Sequence, residues 1–433
     1  MKRAIALCGG GTKGIYELGV WKALLELGID YQIVTGTSIG AINGALMATR
    51  EYELAVELWN AIRMEDVIVD GVNLTTTIEG MYNQREAIRP FLKKYVKKKG
   101  ADISPFLEFI ERQIDEEKLR KSDIDYGLVT VLFSSLKALE LTKEQIPDGK
   151  LKDYIMASSS IFPLFPMHKM NGELYLDGCY HDNLPIDLAL KMGADEVIAV
   201  DLHTFPIHPN YVNKPYITYI KPSRSLGTIL NFDRTILDGN ARLGYYDAMK
   251  TFGKLTGFSY WFYKDSLALF QDKIVEFVTK AARTESYLAK GTFNKIVKPG
   301  DGKRLCSTIE EFIVNGKRNY TREEYFLSAA EICGTIFQIE QKKLWRMEQY
   351  IENLKTCIQI EEAYPDIVIF NRKKTVEFAS KLAELKIRRD SAYITGCIFY
   401  AYRKRKIDHA EQLGLLAFLP LELVAALFLL TVS

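Results

Sequence analysis

Ser38 stands in Gly36-Thr37-Ser38-Ile39-Gly40, shortly after a glycine-rich run, Gly9-Gly10-Gly11-Thr12-Lys13-Gly14. A G-x-S-x-G run suits a serine held on a sharp strand-to-helix turn, with glycines where a side chain would collide with neighbouring backbone. A glycine loop offers backbone N–H donors that can hold a developing oxyanion. The first 45 residues therefore carry two parts of an acyl-transfer site. The run does not match the nucleotide P-loop, because no Gly-Lys-Ser/Thr follows its first glycine at the required spacing.

A serine hydroxyl is a weak nucleophile until a base takes its proton, and histidine is the usual base. The chain has five: His168, His181, His203, His208 and His409. Ser38, Asp177 and His181 can be written in triad order, but Asp and His four residues apart on one loop would have to reach around each other. Asp177 alone, in Leu176-Asp177-Gly178-Cys179, is the better partner. It follows a strand-like Glu173–Leu176, and Gly178 permits a tight turn that presents the carboxylate. A carboxylate in a dry cleft has its proton affinity raised toward the range useful for a base.

These residues together resemble the patatin-like phospholipases: the glycine run 9–14, Gly-Thr-Ser-Ile-Gly at 36–40, and Asp177-Gly178. Ala157-Ser-Ser-Ser-Ile-Phe-Pro-Leu-Phe-Pro166 resembles the family's Ala-Ser-x-x-x-Pro-x-x-Phe-Pro block, and Asn183 with Pro185 matches its Asn-x-Pro. The resemblance covers about residues 1–265. It implies a three-layer α/β/α domain with a mainly parallel sheet, a Ser38–Asp177 dyad, and lipid acyl hydrolysis without metal or cofactor. It also implies an oxyanion hole from Gly9, Gly10 and Gly11 with the N–H of Ile39. Lys13, Gly14, Gly36, Gly40, Gly178 and Asn183 support the motifs, and Asn183 is expected to brace the Asp177 loop. One departure is visible: the family has Asp-Gly-Gly where this chain has Asp-Gly-Cys179.

The elements that must position these groups are legible in outline. Ala4–Cys8 and Tyr31–Thr35 read as buried strands, and Ile15–Leu27 and Ala41–Arg50 as helices. Parallel strands with helical crossovers place the loops at their carboxyl ends beside one crevice, so Gly10 and Ser38 are expected to be neighbours. Residues 52–125 read as a helical insert carrying Lys93, Lys94, Lys97, Lys98 and Lys99, a run that suits a solvated helix face or contact with anionic lipid. Tyr126–Phe133, Ala138–Leu141 and Glu196–Asp201 read as further strands, Lys152–Ser158 as a short helix, and 203–225 as loop. Residues 266–412 read as a mostly helical region of unknown role, preceded by an aromatic patch, Phe258–Tyr263, that suits a core or a membrane interface.

The totals exclude little. The chain has 433 residues, 48% of them hydrophobic and 26% charged, with net charge +2. No global field argues for nucleic acid. Six scattered cysteines without a C-x-x-C pair argue against a zinc site or disulfide framework and fit a reduced, cytoplasmic compartment. The apolar run before the glycines is too short for a signal peptide. The segment 413–433 is apolar apart from Pro420, Glu422 and small polar residues, and it follows Arg403-Lys404-Arg405-Lys406. It could span or lie on a membrane, or form a buried helix pair, and Glu422 counts against spanning. The expected partners are a lipid or acyl-ester substrate and a membrane surface. Two competing readings are a silent membrane-associated scaffold and a soluble esterase or thioesterase.

Overall fold

The N-terminal apolar run forms the central strand of a sheet. The structure is a computed structural model that describes residues 1–67, 102–162, 164–289, 309, 320–358, 389–404, 415–416 and 419–433. The chain divides into two units, Met1–Phe252 and Gly253–Ser433, so the break falls before the expected limit near 265. The lysine run 93–99 and His409 lie outside the described residues.

In the first unit, β1 (Arg3–Leu7) pairs in parallel with β2 (Ile33–Gly36) and with β7 (Glu196–Val200). Ala4, Ile5 and Ala6 are fully buried, as expected of a strand covered on both faces. β3 (Asp125–Leu132) adds in parallel beside β2, and β8 (Ile217–Ile220) beside β7. Three antiparallel strands complete the sheet: β4 (Lys137–Thr142) and β6 (Glu173–Asp177) on β3, and β5 (His168–Met170) on β6. Helices α1 (Ile15–Glu26) and α2 (Ile39–Ala48) follow β1 and β2 directly. The expected α/β domain with a mainly parallel sheet is present.

The register on β3 brings two distant turns together. Residues 127–128 of β3 pair with both β2 and β4, so those two strands lie on opposite edges. Residues 130–132 pair with both β4 and β6, so β6 lies on the edge that β2 has just left. Gly36 pairs with Leu128 and Asp177 with Thr130. The end of β6 is thereby set against the turn that leaves β2.

Two stretches differ from the sequence expectation. β8 lies inside the region read as loop, bracketed by Pro215 and Pro222, whose turn signals obscure a four-residue edge strand. The second unit is mostly helical but also holds a small sheet of β9 (Leu255–Thr256), β10 (Trp261–Tyr263) and β11 (Leu344–Trp345). Its core contains Tyr260, Phe262, Phe277, Phe326, Tyr350 and Phe428. The patch Tyr260–Phe262 is therefore interior. The apolar tail contributes a helix, Pro420–Val432, with Leu423 to Leu429 buried. Glu422 is buried too, and its carboxylate accepts a hydrogen bond from the Ser391 hydroxyl at 2.7 Å. Among the described residues no helix is long and apolar enough to cross a membrane.

Phe428 packs edge-on to Phe277 and tilted against Phe326, at centroid distances of 6.2 and 5.0 Å. Phe428→Ala should lower the stability of Gly253–Ser433 by about 3–5 kcal/mol. Denaturant unfolding of the full chain reads this, and a change below about 1 kcal/mol would contradict the packing.

Candidate functional site

Ser38 occupies the turn between β2 and α2 with φ 56° and ψ −124°. A non-glycine residue in such a conformation costs on the order of 1–3 kcal/mol and persists only where its surroundings enforce it. Here the glycines allow the enforcement. A side chain at Gly36 would overlap the Gly40 carbonyl, and one at Gly40 would come within 2.6 Å of the Leu7 carbonyl of β1. The turn is therefore pressed directly onto the strand that feeds the glycine loop.

Asp177 arrives from the other side. It is 1% exposed. Its N–H donates to the Ser160 carbonyl at 3.0 Å, and its Oδ1 accepts the Cys179 N–H at 2.8 Å. A side chain at Gly178 would overlap the Val129 carbonyl and come within 3.0 Å of the Thr37 methyl. Burial raises the Asp177 pKa to about 6, while hydrogen bonds from the Cys179 N–H and the Ser38 hydroxyl pull it back toward the ionised form. Ser38 and Asp177, distant in sequence, thus line one cavity, with the Ser38 hydroxyl near enough to bear on the Asp177 pKa.

The glycine loop supplies donors, though not all of those expected. The Gly9 N–H is already committed to the Asn183 carbonyl at 3.0 Å, so Gly9 helps to build the loop and does not donate from it. The N–H groups of Gly10, Gly11 and Ile39 have no backbone partner among the described residues, and all three residues line the cavity that contains Ser38 and Asp177. Gly14 lets the loop close onto α2, because a side chain there would press into the Ile39 side chain. Asn183 makes contacts that the sequence does not specify. Its Nδ2 donates to the Gly9 carbonyl at 3.1 Å and to Cys8 Sγ at 3.3 Å. It ties the glycine loop to the segment that follows Asp177.

Other supporting groups were not singled out from the sequence. Ser158 Oγ accepts the Ser38 N–H at 3.0 Å, so the Ala-Ser-Ser-Ser segment holds the Ser38 backbone through one hydroxyl and the Asp177 backbone through the Ser160 carbonyl. Its spacing signal was the motif block itself. Beneath the loop, Asn43 Nδ2 donates to the Gly14 carbonyl at 3.0 Å and to Glu17 at 2.7 Å, and Trp59 Nε1 donates to Asn43 at 3.0 Å. Burial pushes the Glu17 pKa well up.

The histidines divide. His181 sits by Glu140 at 3.8 Å and is half exposed, away from the cavity-lining set. His203 does line the cavity, with Nδ1 held by the buried Asp201 at 2.8 Å. Cys8, Asp201 and His203 bring ligand-type atoms within 4.8 Å of one another. Asp201 also accepts hydrogen bonds from the Tyr219 hydroxyl and the Ile207 N–H, at 2.5 and 3.0 Å. This network is satisfied by hydrogen bonds and pins the strand ends beside the glycine loop.

The cavity measures about 220 Å³. Away from Ser38 its walls are apolar: Ile42, Phe106, Ile161, Phe165, Leu230 and Phe232. Lys13 and Cys179 also face it. Burial pushes the Cys179 thiol pKa up, so it enters as a neutral small side chain. The arrangement places a serine hydroxyl and a buried carboxylate in one cavity, with N–H donors that have no backbone partner among the described residues and room for a hydrocarbon.

Residues 5–190 match the family model of the patatin-like phospholipases. The chain is similar to patatin-like phospholipase domain-containing protein 7 of Rattus norvegicus, at 32% identity over 205 residues, covering 46% of this chain and 13% of that protein. It is similar to the Homo sapiens domain-containing protein 6 at 32% over 206 residues, again 46% and 13%. It is also similar to lysophospholipase nte1 of Aspergillus fumigatus, at 31% over 202 residues, 46% and 12%. The match thus spans only 13% of the length of the first of these relatives. Among solved structures, VipD from Legionella pneumophila aligns at TM-score 0.40 and 14% identity, covering 82% of this chain and 87% of that one.

The raised Asp177 pKa also bears on stability. The folded state binds this proton more tightly than the unfolded chain does. The group's favourable contribution is therefore complete below the unfolded value of about 3.9 and is lost as pH rises through about 6. Asp177→Asn removes the buried charge. At pH 7 the variant should be more stable than the parent by about 2–3 kcal/mol, with the difference fading toward pH 4. Thermal melts across that range read it, and an equal or lower melting temperature at pH 7 would contradict the burial.

Proposed function

We propose, from the premise that residues 5–190 form a patatin-like phospholipase domain, that this chain is a serine hydrolase of lipid acyl esters working through Ser38 and Asp177. One observation carries the reading: a strained serine and a fully buried carboxylate share one apolar cavity with N–H donors that have no backbone partner among the described residues. Asp177 accepts the Ser38 proton as Oγ bonds to the ester carbonyl carbon. The oxygen that gains charge is held by the N–H groups of Gly10, Gly11 and Ile39. Collapse breaks the ester C–O bond, and Asp177 returns the proton to the departing alcohol. Water then gives a proton to Asp177 and its oxygen to the acyl carbon, and Ser38 recovers its hydrogen.

The walls support a substrate class. Ile42, Phe106 and Phe165 suit an acyl chain, while Lys13 stands at the polar end without a carboxylate partner among the described residues and suits an anionic headgroup. Lysophospholipids and phospholipids present both features, and one relative is named a lysophospholipase.

A fluorophosphonate probe should label the full chain and fail to label Ser38→Ala; equal labelling of the variant would overturn the reading. Because Asp177 must be ionised to act as base, kcat/KM should rise about tenfold per pH unit below 6 and level off above it. A flat profile from pH 4.5 to 7 would remove Asp177 from that role. Ser158→Ala should lower kcat by about tenfold by loosening the nucleophile's backbone, with KM little changed.

A further inference from the structure

The sheet rim beside the site carries an apolar stripe with no covering element among the described residues. Phe133 continues the β3–β6 ladder one step past the Leu132–Tyr175 pair, donating its N–H to the Leu174 carbonyl at 2.8 Å. Two steps back along the same face, Val131 and Leu176 are buried; at the rim, Phe133 is 43% and Leu174 37% exposed. Leu136, in the adjoining β3–β4 turn, is 71% exposed and has φ 52°. A left-handed branched residue is unfavourable, and Gly or Asn is the usual occupant. Leu136 therefore combines an unfavourable backbone with an unfavourable exposure, and an apolar medium outside the chain would relieve the exposure.

Position and charge indicate the medium. β3 runs parallel to β1, β2 and β7, so its carboxyl end projects from the edge that carries the glycine loop and the Ser38 turn. At about 3.3 Å per residue, Phe133 lies about 10 Å beyond Thr130, the partner of Asp177. Lys169 pairs with Leu174 and shares the stripe's face, while Lys137 follows Leu136 at the rim and pairs with Leu132 on the opposite face; both are exposed, and neither has a carboxylate partner among the described residues. Apolar side chains flanked by unpaired cations match the boundary of an anionic bilayer.

We propose that Phe133, Leu136 and Leu174, flanked by Lys137 and Lys169, dock this domain on an anionic lipid surface with the catalytic cavity at the interface. The lipid-hydrolase reading supplies the purpose of the docking, while the geometry stands without it.

Co-sedimentation of the full chain with vesicles of phosphatidylcholine and phosphatidylglycerol tests the proposal. Leu136→Asp with Leu174→Asp should weaken binding about tenfold or more, and Lys137→Gln with Lys169→Gln about fivefold per lysine on anionic vesicles only. Leu136→Asn keeps a residue that tolerates the left-handed backbone; it should melt no lower than the parent yet bind vesicles more weakly, which separates docking from misfolding. Turnover of a soluble short-chain ester should be unchanged in all three variants. Vesicle binding by the aspartate variant equal to the parent's would overturn the proposal. So would a parent that self-associates through the stripe and ignores vesicles. Stripe-dependent binding by a chain that hydrolyses no ester would leave the docking surface standing and remove the hydrolase reading instead.

Discussion

Everything at this site depends on backbone packed against backbone without intervening side chains. Gly36 and Gly40 let the Ser38 turn fold onto the end of β1, and Gly178 lets the chain after β6 press on β3 beside Thr37. A single Cβ at any of the three would meet a carbonyl, which cannot step aside as a side chain can. The closeness holds Ser38 in a conformation that it would not adopt alone. It also leaves the N–H groups of Gly10, Gly11 and Ile39 facing a cavity instead of a neighbouring carbonyl.

The electrostatics of the pocket arise from that packing. Asp177 is buried because β6 succeeds β2 along one edge of β3, which carries its side chain inward at the height of the Ser38 turn. Burial opposes its charge, and the donors around it only partly compensate, so its pKa rises to about 6. A more exposed carboxylate would be a weaker base, and a more deeply isolated one would remain protonated near neutrality. Asp201 illustrates the opposite balance. It too is buried, yet His203, Tyr219 and the Ile207 N–H supply enough hydrogen bonds to hold its pKa below the ordinary carboxylate value. One buried carboxylate is held at a raised pKa and the other at a lowered one.

The second unit shows how tertiary context can reverse a hydropathy argument. The helix Pro420–Val432 is apolar enough to suggest a membrane segment, but its side chains meet Phe277, Phe326 and other aromatics of the same unit. Glu422, a liability in a bilayer, has a hydroxyl partner in Ser391. Apolar side chains that do lie open in the first unit include Phe133, Leu136 and Leu174 on the rim.

Short-range chemistry was open to reading from residue order alone. Ser38, Asp177 and the glycines could be singled out as candidates because each is a particular residue type at a fixed local spacing, and β1, β2 and α1 emerged from apolar periodicity. Long-range pairing was not open to such reading. Nothing local to Gly9 reveals that its N–H meets the Asn183 carbonyl, and nothing local to Asn183 shows that its side chain meets the glycine loop. The Ser158 hydroxyl that accepts the Ser38 N–H, the small sheet inside the helical second unit, and the interior position of Tyr260–Phe262 were hidden for the same reason. The chain's order determined which groups are available for chemistry. Strand register, a property of contacts between distant segments, decided which of them meet, because a shift of one residue in β6 against β3 would turn Asp177 to the other face of the sheet.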